Sequence, residues 1–433
     1  MKTKADYKPF VLFEGGKILT GKPGEVIEDA VLLVEEKNIS YLGSRAALSK
    51  ETAARARLVS LEGCTLMPGL IDAHLHLWGA RTLDYLHRAL VPDELSMIRA
   101  VKDAEALIDA GFTTVREAGG NKSIHLRKAV EEGTIKAPRI LSAHKAICIT
   151  GGHYDPYFLP LDYVQGMSGN FRLADGSDEC RKAVREQVRE GADFIKICTT
   201  GGIMSSNDPN VFQFSHDELK AIVEEAHVHG KRVAAHAYGR TGIMNALRSG
   251  VDSIEHGTYL DEEIADEMVR RNVFLVPTLS IMHSLATEGA AFGAGALTLK
   301  KAMDLNKVAS RALNVALRKG IRIASGTDFS GCPPMHHGEN ALELSLMVRA
   351  GMPPLDAIVS GTHAAAEALG IGDWTGTLEV GKRADLLVVK GDPLANIDIL
   401  RERERIRLVL KEGSVIVERS ARDANSHEAY PLR

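Results

Sequence analysis

Residues 65–78 read TLMPGLIDAHLHLW. Pro68 and Gly69 open the stretch, and the short apolar run behind them has the pattern of a buried strand bounded by turn residues. His74 and His76 stand two apart within it. Alternate residues of a strand share a face, so both imidazoles point the same way. Two imidazoles on one face can hold a divalent metal, because neutral histidine is a common zinc ligand. Further ligands must then come from elsewhere in the chain.

The region around this stretch, residues 67–374, alternates strand and helix patterns. Strand candidates recur at Leu70–Leu77, Thr113–Glu117, Arg139–Ala143, Phe194–Cys198, Arg232–Ala237, Ser253–His256, Val273–Thr278 and Arg322–Asp328. Helical patterns fall between them. The clearest starts at Ser215, where Ser215 and Glu218 have the capping-box spacing and Leu219, Ile222, Val223 and Ala226 form one apolar stripe. Repeated βα units in this number predict an α/β fold, a parallel (β/α)8 TIM barrel. Residues 151–177 show little periodicity and read as a long loop. Residues 1–66 and 375–433 read instead as short strands with Gly turns, VLFEGGKIL and AVLLVEE before the barrel, ADLLVVKGDP and IRLVLKEGSVIVE after it. The two ends are expected to pair into one small β-sandwich domain.

Composition sets outer limits. Of 433 residues, 45% are hydrophobic and 25% charged, which is ordinary for a globular chain. A net charge of −4 offers no electrostatic case for nucleic acid or an anionic membrane. No run reaches transmembrane length, and the charged start MKTKADYKPFVLFEGG lacks a signal-peptide core. Five scattered cysteines, odd in number and without a CxxC pair, favour a reducing compartment. A cytoplasmic location follows as an expectation.

In a barrel of this kind, catalytic groups stand at the C-terminal ends of strands. FIKIC puts Lys196 among apolar neighbours, AAHAYG ends a strand at His236, SIEHG at His256, and IASGTDFS at Asp328. Taken singly, each could be a polar strand terminus or a turn former. Their placement on one barrel behind an HxH points to a metal centre. A buried unpaired ammonium is costly, so Lys196 either pairs with a buried carboxylate or is carboxylated by carbon dioxide. A carbamate is an anionic oxygen ligand suited to bridging two metals.

Taken together, the HxH, the strand-four lysine, the two later histidines, the strand-eight aspartate and the C-terminal GTLEVGKRADLLVV resemble the amidohydrolase superfamily. The resemblance implies two divalent metal ions, zinc first among them. His74 and His76 would hold the more buried one, His236 and His256 the more exposed one. Carboxylated Lys196 would bridge them, and Asp328 would bind the buried ion and carry protons. It also implies catalysis by a metal-bridging hydroxide, with Asp328 as base and then acid. No Glu follows His236, where the mononuclear deaminases carry one, so a binuclear hydrolase is favoured.

The wording TGGH, IKICTTGGI, AAHAYG and IEHGTYL is similar to the prolidase-like and carboxypeptidase-like dipeptidases, a subgroup that includes ochratoxin-type amidohydrolases. That likeness implies release of a C-terminal amino acid from a dipeptide or N-acyl amino acid. Tyr238 would serve the carbonyl oxygen or the substrate carboxylate, and His153 would bind the carboxylate. It further implies a small-molecule amide substrate and a homo-oligomer. Cyclic amides, lactones or other esters are the competing substrates, and an inactive scaffold is the competing class. His336 and His337 are expected in a surface loop, and the Gly/Ala-rich Ala286–Thr298 as a mobile lid or a surface loop.

Overall fold

A computed structural model describes residues 10–156, 159–166 and 169–419. The expectation placed on the charged first residues therefore lies largely outside the described residues. Among the described residues no helix is long and apolar enough to cross a membrane.

The centre of the chain is α/β, built on two parallel sheets. Phe112–Glu117 lies between Leu70–Leu75 and Arg139–Ser142 in the first. The second runs in the order Phe171–Leu173, Ala146–Cys148, Ile195–Cys198, Val233–Ala237, Ser253–His256 and Phe274–Val276. Every residue of Leu70–Leu75 and Val233–Ala237 is buried, as expected of parallel strands covered on both faces. Helices fill the intervals. The His216–Val228 helix begins with the capping box read from the sequence, Ser215 and Glu218 satisfying each other's backbone N–H groups.

The structure departs from the sequence reading in three places. The third strand does not continue past Ser142. His144, at φ 58°, turns the chain into the second sheet, where Ile147 pairs with Ile197. The expected long loop beyond it carries the Leu161–Gly166 helix and the Phe171–Leu173 strand. The second departure is at 322–328, which is not a regular strand. Ile323 bridges Leu275 on one side and Phe329 bridges Leu75 on the other, so the segment threads between Phe274–Val276 and Leu70–Leu75. Gly326 permits this approach, since a Cβ there would lie 2.5 Å from Val276 Cγ1 and 2.8 Å from the His74 nitrogen. The third is Ala286–Thr298, which is not an open loop. It comprises the end of the Leu279–Thr287 helix, a 3₁₀ turn at Gly289–Phe292 and the start of the Ala296–Lys319 helix.

Two further sheets come from the chain ends. One orders Asn38–Ser44, Ala30–Glu35, Phe10–Glu14 and Ala56–Ser60. The other orders Ser414–Glu418, Ile406–Lys411, Leu386–Lys390, Cys64–Pro68, Lys17–Leu19 and Val26–Ile27, so it draws on both ends. Period-two alternation decides what each face covers. Leu386 and Val388 share a core with Phe13, Leu32 and Leu66 of the two sheets. Leu387 and Val389 turn the other way, onto Leu70, Leu107 and Phe112 of the centre. Cys64–Pro68 thus anchors the strand that follows directly from it and carries His74.

Candidate metal centre and active site

Four of the predicted ligands converge. His74 lies on the Leu70–Leu75 strand and His76 just beyond, both pointing inward. His76 Nε2 is 3.1 Å from Asp328 Oδ1, and His74 Nε2 is 3.5 Å from the same oxygen. Lys196 Nζ donates to His74 Nε2 at 3.2 Å. Ligand atoms held ~2.1 Å from a tetrahedral ion lie roughly 3.4 Å apart, so these spacings fit one divalent cation. His74, His76 and Asp328 form a candidate metal-holding group whose ligand atoms all lie within 4.8 Å of one another. His236 and His256 stand beside it, on adjacent strand ends. His256 Nε2 is 2.8 Å from His236 Nδ1, and the His256 ring centroid is 5.2 Å from that of His74. His256 and Asp328 both have positive φ, 71° and 59°, a conformation that non-glycine residues adopt rarely and that clusters at functional sites.

Each ring is set by a partner on its far side. His74 Nδ1 donates to Glu255 at 2.6 Å, which fixes the hydrogen there and turns a bare Nε2 inward. Arg116 in turn grips both oxygens of Glu255 at 2.8 Å. His236 Nε2 donates to the Gly201 carbonyl at 3.0 Å, which leaves its Nδ1 bare and facing His256. His256 Nδ1 meets Thr278 Oγ1 at 2.7 Å. His76 Nδ1 faces the buried Glu117 at 3.5 Å. A hydrogen bond or carboxylate behind the ring, with a lone pair in front, is the arrangement that metal-ligating histidines use. Asp72 holds the scaffold in register: it accepts from the His74 nitrogen at 3.0 Å and from Thr327 Oγ1 at 2.7 Å.

Electrostatics match this geometry. Burial keeps His236 and His256 well below the ordinary histidine range, so both rings are neutral and able to coordinate. Burial also lowers Lys196, and among the described residues no carboxylate lies within ion-pair distance of it. Of the two alternatives for this lysine, the paired carboxylate is therefore not found. Burial opposes the charge on Asp328, but its contacts with His74 and His76 prevail and hold it well below the usual carboxylate range.

The remaining predicted residues line a small pocket over the cluster, with Ile203, Met204 and Met335 as its apolar wall. Tyr238 is fully buried and stacks on His256 at 4.5 Å, and among the described residues its hydroxyl has no hydrogen-bond partner. His153 stacks on His236 at 4.0 Å, and burial lowers it to about 3, so it can offer a hydrogen bond but no charge. Gly202 makes room for that stack, since a Cβ there would sit 2.4 Å from His153 Cε1. His337 overturns the surface-loop expectation: it is buried and donates to the His76 carbonyl at 3.0 Å. His336, partly buried, fits it better.

Sequence reading missed Glu117, Arg116, Glu255, Thr278 and Tyr154, whose hydroxyl lies 3.4 Å from His76 Nε2. Charged residues inside strands as apolar as FTTVRE and SIEHG were the available signal.

Parallel α/β sheets that bring neutral histidines, a buried lysine and an aspartate to strand ends define a hydrolase of the metal-centre class. The chain belongs to the amidohydrolase family, whose sequence model matches residues 65–416. It is a hydrolase acting on amide bonds and falls in the prolidase and ochratoxinase subgroup. It is 33% identical to ochratoxinase from Aspergillus niger over 428 residues, 95% of this chain and 87% of that one. A prolidase complexed with N-methylphosphonate-L-proline superposes with a TM-score of 0.86 at 33% identity, over 95% of this chain and 100% of that one. A Xaa-Pro dipeptidase with methionine bound in its active site gives 0.83 at 33% identity, over 94% and 99%.

Proposed function

We propose that this chain is a binuclear metal-dependent amide hydrolase that releases a C-terminal amino acid from a dipeptide or an N-acyl amino acid. The observation that carries this reading is the convergence of His74, His76, Lys196 and Asp328 beside the facing pair His236 and His256, in a chain of this subgroup. The reading takes the two parallel sheets and the 322–328 segment as one (β/α)8 barrel spanning residues 67–374. The described strands within residues 1–66 and 375–433 form its β-sandwich. His74, His76 and Asp328 would hold one ion and His236 and His256 the other, and Lys196, once carboxylated, would supply an anionic oxygen ligand between the two groups. The ammonium's lack of a carboxylate partner supports that modification.

Two divalent metals, zinc in the first instance, would lower the pKa of a water and polarise the scissile carbonyl. The chain's own groups do the rest. Asp328, on the pocket wall, accepts the proton of the attacking water and delivers it to the leaving amine. Tyr238 directs its unpartnered buried hydroxyl to the carbonyl oxygen or to the substrate carboxylate. His153 donates a hydrogen bond to that carboxylate. Tyr154 and the apolar wall exclude water.

Amino-acid release by the zinc-loaded protein, across a panel of dipeptides and N-acyl amino acids, tests the reading against a chelated sample. Release lost on chelation and restored by zinc, with about two metals per chain, is the expected result. No release with both metals bound would discard it and leave lactones and cyclic amides as the substrates to try.

A further inference from the structure

A cavity of about 390 Å³ opens beside the site, a size within the range of small-molecule pockets. Trp78, Tyr85, Tyr154 and Phe171 give it aromatic walls. It meets the site pocket at Trp78, Tyr85, Arg88 and Tyr154, which line both.

Arg88 differs from two of the other three cations that line the cavity. Arg81 is paired with Asp103 at 2.9 Å, and Lys122 with Asp93 at 2.8 Å. The Arg88 guanidinium has no ion pair or hydrogen bond among the described residues. It lies over the rings of Trp78 at 4.6 Å and Tyr85 at 5.0 Å. Trp78 in turn stacks on His76, with centroids 4.2 Å apart and planes inclined by 23°. The guanidinium therefore stands two stacking steps from an imidazole of the candidate metal centre. Stacking holds its plane while its N–H edge stays available, and that edge matches a carboxylate with two parallel hydrogen bonds. It is also the one lysine or arginine among the residues lining the site pocket. A substrate carboxylate entering there beside Asp328 meets like charge and loses water, and Arg88 is the cationic side chain on the pocket wall that offsets both.

We propose that Arg88 holds the carboxylate of the substrate's C-terminal residue, and that the aromatic cavity behind it takes that residue's side chain. Phenylalanine, tyrosine and tryptophan termini are then preferred over small ones. This rests on the amide hydrolase reading for the bond that is broken, and on the cavity alone for what is bound.

The test has two arms. In the first, the wild type, Arg88→Leu and Arg88→Lys are assayed on N-acetyl dipeptides ending in phenylalanine or alanine, and on the phenylalanine carboxamide counterpart. The expected result is a 10- to 100-fold rise in KM for the free acid in Arg88→Leu, with the loss lying in KM rather than kcat. The preference for acid over carboxamide collapses, and Arg88→Lys restores part of it. The second arm needs no turnover: calorimetric binding of 3-phenylpropanoate to the metal-loaded protein, expected to weaken at least tenfold in Arg88→Leu. Equal binding by wild type and Arg88→Leu, or none by either, overturns the proposal whatever the enzyme hydrolyses. Arg88-dependent binding without hydrolysis of any amide overturns the function reading and leaves the proposal standing. Should Arg88→Leu fail to fold, Arg88→Gln, which keeps side-chain length, replaces it in both arms.

Discussion

Asp328 is the residue on which structure and chemistry press hardest. It sits at positive φ, touches two histidines and faces the pocket. Replacing it by asparagine keeps the size and one oxygen but removes the proton acceptor. Asp328→Asn is expected to retain most of its metal, measured by elemental analysis, while kcat falls by roughly 10²–10⁴. Turnover near the wild-type level would remove the proton-transfer role. At this scale the chain was unusually legible. His74 and His76 announce themselves by spacing, and Lys196 by being a cation where the sequence permits none. The groups behind them were harder to read. Glu255 immediately precedes His256, and by strand alternation the two should face opposite ways. Instead His256, the last paired residue of its strand, turns at φ 71°, and both side chains reach the cluster. Alternation accounts for Glu255, which shares a face with Ser253, but not for His256 at positive φ.

At the scale of elements, the Leu279–Thr287 helix shows how a distant carboxylate shapes the site. The buried Glu343 accepts from the backbone nitrogens of Leu279 and Ser280 at 2.9 and 2.7 Å, and so fixes the start of this helix. Thr278, which meets His256, is the residue just before it. Burial pushes the Glu343 carboxyl up to about 8. An unfolded chain ionises the same group at the ordinary carboxyl value of 4.5. The folded chain therefore keeps an extra proton between these values, and stability falls as pH rises across that window, then levels off above it. The slope approaches about 1.4 kcal/mol per pH unit. Thermal unfolding of wild type and Glu343→Gln between pH 5 and pH 9 is expected to show that slope in the wild type alone. A stability difference that stays constant with pH would mean that the carboxyl is ionised when folded. Elements were also where sequence reading lost detail. The strand at 139–143 was placed correctly, but nothing in its apolar pattern says that His144 turns the chain into another sheet. Residues 322–328 look like a buried strand in composition, yet Gly326 and Asp328 keep them out of regular pairing.

At the scale of the whole molecule, the sheets from the chain ends and the α/β centre are fastened by Arg139. It leaves the first parallel sheet to pair with Asp385 at 2.9 Å and Glu412 at 2.8 Å, and its guanidinium lies 4.7 Å from the ring centroid of Trp374. Asp385 is 3% exposed, so losing its cation strands a buried charge. Arg139→Ala is expected to cost about 3 kcal/mol or more in denaturant unfolding, with Arg139→Lys recovering only part. A loss below about 1 kcal/mol would show that this ion pair does not fasten the two halves. The joining of the chain ends was foreseen because strand-like text brackets the centre on both sides. Which strands meet was not, since pairing register leaves no mark in a single sequence. That pairing has a consequence in time. Thr65, at the entrance to the HxH strand, donates its hydroxyl to the carbonyl of Gly391, 326 residues later. A ribosome adding 5–20 residues per second separates those partners by roughly 15–65 s. For that interval Cys64–Pro68 has one open edge on a nascent chain, and the strand bearing His74 lacks part of its anchor. Assembly of the site is thus among the last events of synthesis, and a chain that stops before Leu386 would carry every residue of the candidate site and still lack the strand that pairs with Cys64–Pro68.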